Sequence, residues 1–446
     1  MLEVRPFRGL RYNLNKIDDP SSVICPPYDV ISPEEQQGYQ RRNPFNIIGM
    51  ELGEEKPDDS PEQNKYTRAA AILDNWLAQG VLMQDANPAF YVFEHRFDHD
   101  GKTLSRWGLS AAVRLEDWST GNIRPHEAIL KNPVGDRLRL MRSCNTNLSP
   151  IMGLLPFENN GMLSLMQSQS DVTPSMTATT DDGVVHNMWV VTEEGLVNTI
   201  REVCAGTVMY IADGHHRYQT SLLYQQERRD SASQYSGEEA FNFTMVTLMD
   251  AADPGIRVLP IHRMVRIAEP SIMATARERL DELFHLEQLP PVGSTPKKTI
   301  DMWGETMQQR DPEGVVAGCY GLHEKNLCLL TPCQKDVILD MLPEGHSPAW
   351  GELKVSQLHW AILQKVFSMN NPSGDSGQIE YTKSATEAIN RVDSGEFQLA
   401  FLLNRLPVSS ILDIADAKDR MPQKCTYFYP KVPTGLVIHS LQGDED

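Results

Sequence analysis

The sequence predicts a mixed α/β protein with more than one lobe. Segments with strand-like alternation and segments with helical periodicity follow one another along most of the chain. This mixture favours an α/β or α+β fold over an all-helical or all-strand fold. A chain of 446 residues is also too long to be built around one small core.

The composition predicts a soluble, cytoplasmic protein. Hydrophobic residues make up 40% and charged residues 23% of the chain, as in ordinary globular proteins. No apolar run is long enough to span a bilayer, and the first residues, "MLEVRPFRGLRYN", lack the pattern of a signal peptide. The seven cysteines are scattered and form no Cys-x-x-Cys pair, which indicates free thiols in a reducing compartment.

The net charge of −19 argues against nucleic acid as a partner, because binding a polyanion requires clustered lysine and arginine. A local basic pocket for one small anion is still compatible with this charge. We therefore expect a small-molecule substrate and no membrane partner. Homo-oligomer formation stays open.

The N-terminal region predicts short strands, turns and one capped helix. Within residues 1–50, Pro26 and Pro27 hold an extended segment that presents Asp29. Ser32 followed by proline is typical of a helix start.

The next region predicts a loop, a helix, a hairpin and a second helix. Residues 52–64 are acidic and rich in turn formers, and the helical pattern that follows ends at Gly80. Asp100-Gly101 is the turn of a β-hairpin. Residues 126–142, "HEAILKNPVGDRLRLMR", predict mainly helix and lead into a strand.

The C-terminal half predicts a further α/β region. Strand-like segments lie on both sides of the turn in "MDAADPGIRVLPIHRMV", and a helix with a Pro/Gly/Ser-rich boundary follows them. The expected division is a core over residues 1–267, a smaller α/β lobe over 268–370, and a segment over 371–446 that packs back on the core.

The segment "VMYIADGHHRYQTSLLYQQERR" carries the clearest chemical signal. A buried strand runs into a tight turn at Asp213-Gly214, and a helix follows. His215, His216 and Arg217 then occupy the first helical turn, where unpaired N–H groups and the helix dipole attract anions. Arg217 adds a bidentate hydrogen-bond donor for phosphate. Asp213, an acid at the same place, is suited to act as a general base or as a Mg²⁺ ligand.

Two other interpretations of this segment stay open. In the first, Asp213 does no more than cap the helix, and His215 is a satisfied polar residue. A metal-hydrolase site made of Asp213, His215 and His216 is less favoured, because adjacent histidines rarely bind one ion together.

A second group of candidate residues lies on the helix predicted over 126–142. Arg137 and Arg142 would complete a phosphate clamp, and Glu127, beside His126, would hold Mg²⁺ or orient Arg217. The alternative is a solvated helical face with ion pairs between successive turns.

Two later clusters are weighed in the same way. His262 and Arg263 end a predicted strand, where they either face a ligand or mark a surface strand end. The segment "KCTYFYPK" is interpreted as a structural tail with packed aromatic residues. As the less favoured alternative, Lys424 and Lys431 would reach a substrate anion.

The segment "ADGHHRYQT" resembles the Asp-Gly-His-x-Arg signature of free serine kinases in the ParB/sulfiredoxin-like superfamily. Further segments are similar to a bacterial and archaeal family of unknown function that is assigned to that superfamily. These segments span nearly the whole chain and are "CPPYDVIS", "NPFNII", "HEAILKNPVGDRLRLMR", "LSPIMGL", "LPIHRMV" and "MPQKCTYFYPKVPTGL".

The resemblance implies a ParB/sulfiredoxin-like core with large insertions and an added C-terminal α/β region. It also implies a nucleotide, ATP or ADP, with Mg²⁺, and phosphoryl transfer to serine or from O-phosphoserine. Asp213 and His215 would be catalytic, and Gly214, His216 and Arg217 would bind phosphate. Asp29 becomes a third catalytic candidate by its analogous place in the N-terminal loop.

The chain departs from the kinase pattern in two ways. Asp29 and Asp213 lie far apart in the sequence, so a large insertion is required between them, and His216 stands where the kinases often have threonine. The alternative function is a nucleotide-gated binding protein like the CTP-dependent clamps of the superfamily. The chain shows neither a marked helix-turn-helix nor a basic surface for that role.

Overall fold

The computed structural model describes residues 2–157, 161–267, 269–369 and 377–444. The chain divides into two compact units. The first comprises Met1–Pro125, Ile129–Arg257 and Pro430–Asp446, and the second comprises His126–Ala128 and Val258–Tyr429. The predicted boundaries at residues 268 and 370 lie outside the described residues. The division into 1–267, 268–370 and 371–446 stays a prediction.

The mixed α/β class predicted from the sequence is confirmed. The strands are β1 Val4–Arg5, β2 Leu10–Tyr12, β3 Leu82–Gln84, β4 Phe90–His99, β5 Lys102–Arg114, β6 Ile123–Arg124, β7 Thr146–Asn147, β8 Ile151–Leu155, β9 Met176–Thr179, β10 Val185–Val191, β11 Met209–Asp213, β12 Phe243–Asp250, β13 Arg257–Leu259, β14 His262–Val265, β15 Phe284–Leu289, β16 Ala317–His323, β17 Asn326–Pro332, β18 Ile379–Thr382, β19 Leu399–Leu402, β20 Tyr427–Tyr429 and β21 His439–Ser440.

Helices occur in both units. They are α1 Pro33–Arg42, α2 Ile48–Glu51, α3 Lys65–Ala78, α4 Lys131–Cys144, α5 Gly161–Gln167, α6 Glu194–Cys204, α7 His215–Ser231, α8 Pro270–Leu283, α9 Pro296–Arg310, α10 Lys335–Leu339, α11 Pro348–Glu352, α12 Lys354–Ser356, α13 Ala385–Asp393 and α14 Val408–Asp416. No helix in these described ranges is both long enough and apolar enough to cross a bilayer.

The first unit is built on a mixed sheet with strand order β6-β11-β8-β12-β5-β4-β10-β9, and β1 pairs with β5. Strand β11 runs parallel to β6 and antiparallel to β8. All of β11 except Asp213 is buried, so the strand fixes the position of the residue that ends it. Tyr218, one turn into α7, packs in the apolar cluster of this sheet and anchors the helix that follows.

The helical packing of the first unit involves α1 to α4. Tyr39, Leu73, Trp76 and Leu140 from these helices belong to one apolar cluster. Ser32 caps α1 and, with Glu35, forms a reciprocal capping box, as the sequence predicts for this helix start.

The second unit contains a six-stranded sheet with the order β15-β17-β16-β19-β14-β18. Its apolar cluster includes Met264 of β14 together with Ile300, Trp303 and Met307 of α9. A π-helix at Gln357–Val366 follows α12 in the same unit.

The helix predicted over 126–142 begins later than expected. Helix α4 starts at Lys131, and Glu127 instead forms a parallel β-bridge with Met421. Pro133 is the reason, because proline is tolerated only in the first turn, where its missing N–H is not needed. A helix starting at 126 would place Pro133 in its interior.

The prediction that His262 and Arg263 end a strand is also wrong. They begin β14, which lies between β18 and β19 in the six-stranded sheet, and both residues are buried. The prediction ran one strand through Pro260 to Arg263. The structure instead ends β13 at Leu259 and begins β14 at His262, after the proline.

A buried histidine pair in the first unit predicts acid sensitivity. His95 of β4 and His186 of β10 are cross-strand partners with Nδ1 atoms 2.7 Å apart. Burial, with the nearby Arg106 charge, lowers the pKa of His186 from 6.5 to about 3, against the opposing effect of Asp182. Burial, Arg106 and His186 also lower the pKa of His95.

Because these pKa values are lower in the folded chain, the unfolded chain takes up more protons below pH 6.5. Between pH 6.5 and about pH 4.5, His186 alone should lower the free energy of unfolding by about 2 kcal/mol. Urea unfolding of the wild type and of His186→Asn at several pH values measures this. The variant should lose less stability on acidification, whereas His285→Gln, at an exposed histidine, should follow the wild type. Parallel curves for His186→Asn and wild type would contradict the assignment.

Candidate active site

The site is built on the junction between β11 and α7. Gly214 links them with φ +93°, a left-handed conformation that non-glycine residues rarely adopt. A Cβ at this position would lie 2.9 Å from Nε of Arg217. Glycine is therefore required both for the turn and for the close approach of the Arg217 side chain to the backbone.

Asp213 is held between two cations. Its Oδ2 accepts a hydrogen bond from Nη2 of Arg217 at 2.5 Å, and its Oδ1 accepts one from Nζ of Lys431. Gly214 is the N-cap residue of α7 and makes no side-chain capping bond. The Asp213 carboxylate thus organises an ion-pair cluster at the start of the helix.

The charges around Asp213 fix its ionisation. Burial by itself would raise the pKa of this carboxyl, but Lys431 and Arg217 outweigh it and hold the pKa well below its ordinary range, with a smaller contribution from His215. Asp213 is therefore ionised throughout the physiological range, and a carboxylate with so low a pKa is a weak proton acceptor.

The N-terminal loop carrying Asp29 is close enough to the cluster for its charge to act on Arg217. Tyr28–Val30 forms a 3₁₀ turn directly after Pro27, and Asp29 is exposed. Burial lowers the pKa of Arg217, but Asp213, Asp29 and then Tyr28 raise it, and the net pKa is raised. The structure therefore brings Asp29 near Arg217, although the two residues are far apart in the sequence.

Arg217 also bonds to the main chain of a neighbouring loop. Its Nη1 donates to the carbonyl oxygen of Pro150. Because Nη2 donates to Asp213, the guanidinium plane is fixed by hydrogen bonds from both of its terminal nitrogens. An arginine held in this way loses little further side-chain freedom on binding an anion.

Arg137 lies beneath the same loop. Its Nε donates to Asp136 at 2.9 Å, its Nη1 donates to the carbonyl oxygen of Glu51 at 2.7 Å, and its guanidinium lies 4.1 Å from the ring centre of Tyr28. Arg137 is only 7% exposed. It supports the loop that presents Asp29.

The two histidines of the segment have different surroundings. His215 is buried and close enough to Asp213 to contribute to the low pKa of that carboxyl. Nε2 of His216 accepts a hydrogen bond from the N–H of Leu130 at 3.0 Å. His216 therefore joins α7 to the start of α4.

Arg142 is not brought to the start of α7. It forms an exposed ion pair with Glu227, with Nε 2.8 Å from Oε2. Glu227 lies twelve residues after His215, which is about 18 Å along the helix axis. Arg142 is thus a surface residue of the α4–α7 face.

His126 and Glu127 lie in the second unit. Nε2 of His126 is 3.3 Å from Oγ1 of Thr426, and the same hydroxyl donates to Oε1 of Glu127 at 3.2 Å. His126 is buried, and Glu127 is partly exposed. These contacts tie the short segment 126–128 to the strand region near Met421.

His262 and Arg263 also lie in the second unit. Nδ1 of His262 accepts a hydrogen bond from the N–H of Leu403, and burial lowers the pKa of His262 to about 4. The buried guanidinium of Arg263 donates to the carbonyl oxygens of Ile261 and Lys424. Both side chains tie strand segments together.

The sequence underrated three residues of this site. Lys431 was only the less favoured candidate for an anion contact, and Tyr28 and Glu51 were not candidates at all. Lys431 belongs to "YPKVPTGL", which is part of a segment similar to the family of unknown function described above. That similarity was the one sequence signal that pointed to Lys431. Nothing in the local pattern around Glu51 distinguishes it from other helical glutamates.

The site offers few direct metal ligands. Within the described ranges, no group of three or more His, Cys, Asp or Glu side chains is placed to hold a metal ion. A Mg²⁺ ion typically uses one or two carboxylates together with substrate phosphates, and Asp29 and Asp213 are the carboxylates at the start of α7. The residues therefore fit an ion carried in by a phosphate ligand.

A family model described as a protein of unknown function, DUF1015, matches residues 4–350, which is most of the chain. The chain belongs to the DUF1015 family. The matched region contains Asp29, Arg137 and the β11–α7 junction, whereas Lys431 lies beyond it. No curated protein matches the sequence.

Solved structures give distant likenesses to this DUF1015 protein. A free serine kinase mutant in complex with AMP is 10% identical, with a TM-score of 0.34, and the match covers 69% of this chain and 83% of that one. A conserved hypothetical protein from Pyrococcus furiosus is 10% identical, with a TM-score of 0.32 and 70% and 90% coverage. SbnI from Staphylococcus aureus, truncated at its C-terminus, is 10% identical, with a TM-score of 0.33 and 75% and 87% coverage.

Proposed function

We propose that this DUF1015 protein binds a nucleotide at the start of α7 and transfers a phosphoryl group between it and a small hydroxy metabolite. Serine or O-phosphoserine is the first candidate, because "ADGHHRYQT" resembles the free serine kinase signature, and with it we propose a ParB/sulfiredoxin-like core. The observation that carries the proposal is the Asp213 carboxylate held between Arg217 and Lys431 at a helix N-terminus.

The cations of this cluster suit phosphate. Arg217 is fixed by Asp213 and by the Pro150 carbonyl, so its guanidinium is preorganised, and Lys431 adds a second positive charge. The N–H groups of the first turn of α7 add donors that have no partner within the helix. Together these groups would hold nucleotide phosphates and stabilise the charge that develops during transfer.

Charge balance favours a divalent cation with the nucleotide. Arg217 and Lys431 are offset by Asp213 and Asp29, so the start of α7 has little positive charge in excess. A polyphosphate would bring a large negative charge into this balanced site. Mg²⁺ held by the phosphates, with Asp29 or Asp213 as a carboxylate ligand, would neutralise that charge.

The two acids receive different roles. Asp213 has a pKa too low for efficient proton acceptance, so we assign it to positioning Arg217 and Lys431. Asp29 is exposed and its charge acts on Arg217, so we assign it to accept the proton of the substrate hydroxyl. His215, buried beside Asp213, is the second group for proton transfer.

Phosphorus NMR tests this proposal. The full chain would be incubated with ATP or ADP and Mg²⁺, together with serine or O-phosphoserine, and calorimetry would measure nucleotide affinity in parallel. The expected result is nucleotide binding with transfer in at least one direction. Nucleotide binding without turnover, with DNA retained at physiological salt, would favour the nucleotide-gated binding protein. Absence of nucleotide binding at millimolar concentration would contradict both functions.

A further inference from the structure

A small cavity in the first unit is lined by both apolar and polar side chains, among them residues of the first turns of α7. Its volume is about 40 Å³, and its wall includes Glu51, Arg137, Thr146 and Arg217. A space of this size holds about three water molecules. Bonded atoms lie closer together than waters do, so the five heavy atoms of an amino acid main chain would also fit.

One polar group of the wall lacks a partner, and a second is only partly satisfied. Oγ1 of Thr146 is buried and has no hydrogen-bond partner among the described residues. Glu51 is 1% exposed, and its Oε1 accepts a hydrogen bond from Oγ of Ser149 at 3.0 Å. No described group donates to the second oxygen, Oε2. Buried polar groups without partners are costly, so this wall is suited to a ligand with its own donors and acceptors.

The charges of the wall indicate which donors and acceptors fit. Arg137 forms a long ion pair with Glu51, with Nη1 3.8 Å from Oε1, while its hydrogen bonds go to Asp136 and to the Glu51 carbonyl oxygen. The Glu51 carboxylate is thus paired in part, at Oε1, and Oε2 is the oxygen that faces no described donor. Glu51 calls for a cationic donor. All three nitrogens of Arg137 already donate, whereas Nε of Arg217 has no described acceptor and is suited to an anionic group. A ligand that carries both an ammonium and an anionic group adds no net charge to this site.

We propose that this cavity binds the ammonium and carboxylate groups of a small α-amino acid. The ammonium group donates to Glu51. The carboxylate is placed between Arg217 and the hydroxyl of Thr146, and the side chain extends toward the start of α7. The identification of this amino acid as the phosphoryl acceptor rests on the proposed function, but its binding does not.

Calorimetry of the full chain without nucleotide tests the binding. The probes are glycine, alanine and serine, with 3-hydroxypropionate as an analogue lacking the ammonium group and ethanolamine as one lacking the carboxylate. The amino acids should bind, and either analogue should bind at least 10-fold more weakly, since each loses a hydrogen bond to a charged group.

Two variants and one control connect the binding to the cavity. Glu51→Gln removes the charge and Thr146→Val removes the hydroxyl, and each should weaken amino acid binding, Glu51→Gln by roughly 10- to 100-fold. Glu54→Gln makes the same chemical change at an exposed position three residues away and should bind as the wild type does. Circular dichroism would establish that the variants are folded.

The outcomes separate this inference from the proposed function. Amino acid binding that is lost in Glu51→Gln supports the cavity site, even if no nucleotide binds and the proposed function fails. The inference is overturned if the wild type binds no amino acid at millimolar concentration. It is also overturned if the folded Glu51→Gln and Thr146→Val variants bind amino acids as tightly as the wild type, whatever the nucleotide result.

Discussion

Asp213→Asn should lower the free energy of unfolding by about 3 kcal/mol, because it removes the charged partner of two largely buried cations. The side chains of Arg217 and Lys431 are 9% and 11% exposed, so water compensates little for the loss. Phosphoryl transfer should fall by roughly two to four orders of magnitude, since both phosphate-binding groups lose the carboxylate that positions them.

Urea unfolding and phosphorus NMR measure the two effects of Asp213→Asn. Asp117→Asn is the matched control, because Asp117 is an exposed turn residue that accepts from the N–H of Ser119, a role that asparagine fills about equally well. Near-normal stability and turnover of Asp213→Asn would reject the positioning role and leave Asp213 as a simple turn residue.

Arg217→Ala should weaken nucleotide binding by roughly 10- to 100-fold, the equivalent of about 1.5–3 kcal/mol for a lost charge-assisted hydrogen bond. The substitution also removes the bonds to Asp213 and to the Pro150 carbonyl, so the thermal midpoint should fall. Calorimetry at a temperature well below that midpoint separates the binding defect from the loss of stability.

Arg142→Ala is the control for Arg217→Ala, because both arginines were candidates for the same phosphate clamp. Arg142 is 49% exposed and pairs with Glu227 at the surface, where such ion pairs contribute about 0–1 kcal/mol. Its nucleotide affinity should equal that of the wild type. Equal losses in both variants would place the nucleotide away from the start of α7.

The local architecture of the site was readable from the sequence. An apolar run followed by Asp213 and Gly214 predicts a strand and a tight turn, and the structure has β11, a left-handed glycine and α7 in that order. The capping of α1 by Ser32 was equally readable. In each case a few neighbouring residues determine the backbone dihedral angles, so the pattern and its cause lie in the same short segment.

The errors arose where a segment was judged without its surroundings. His126 and Glu127 were assigned to a helix because the pattern over 126–142 is largely helical, but Pro133 and the bridge to Met421 exclude it. His262 and Arg263 were placed at a strand end, but pairing on both sides buries them in a sheet. Strand pairing depends on distant segments and leaves little local trace.

By itself, the sequence determined the fold class, the strand–turn–helix at Asp213, and the chemical character of its first helical turn. Only the tertiary structure decided which partners meet there. Lys431 reaches Asp213 across 218 positions of the chain, and Asp29 approaches Arg217 from the N-terminal loop. Dihedral preferences act over a few residues, whereas an ion pair depends on where sheet order and packing bring distant segments. Because the sequence pattern does not show those positions, Lys431 was underrated and Arg142 was overrated as a phosphate-binding residue.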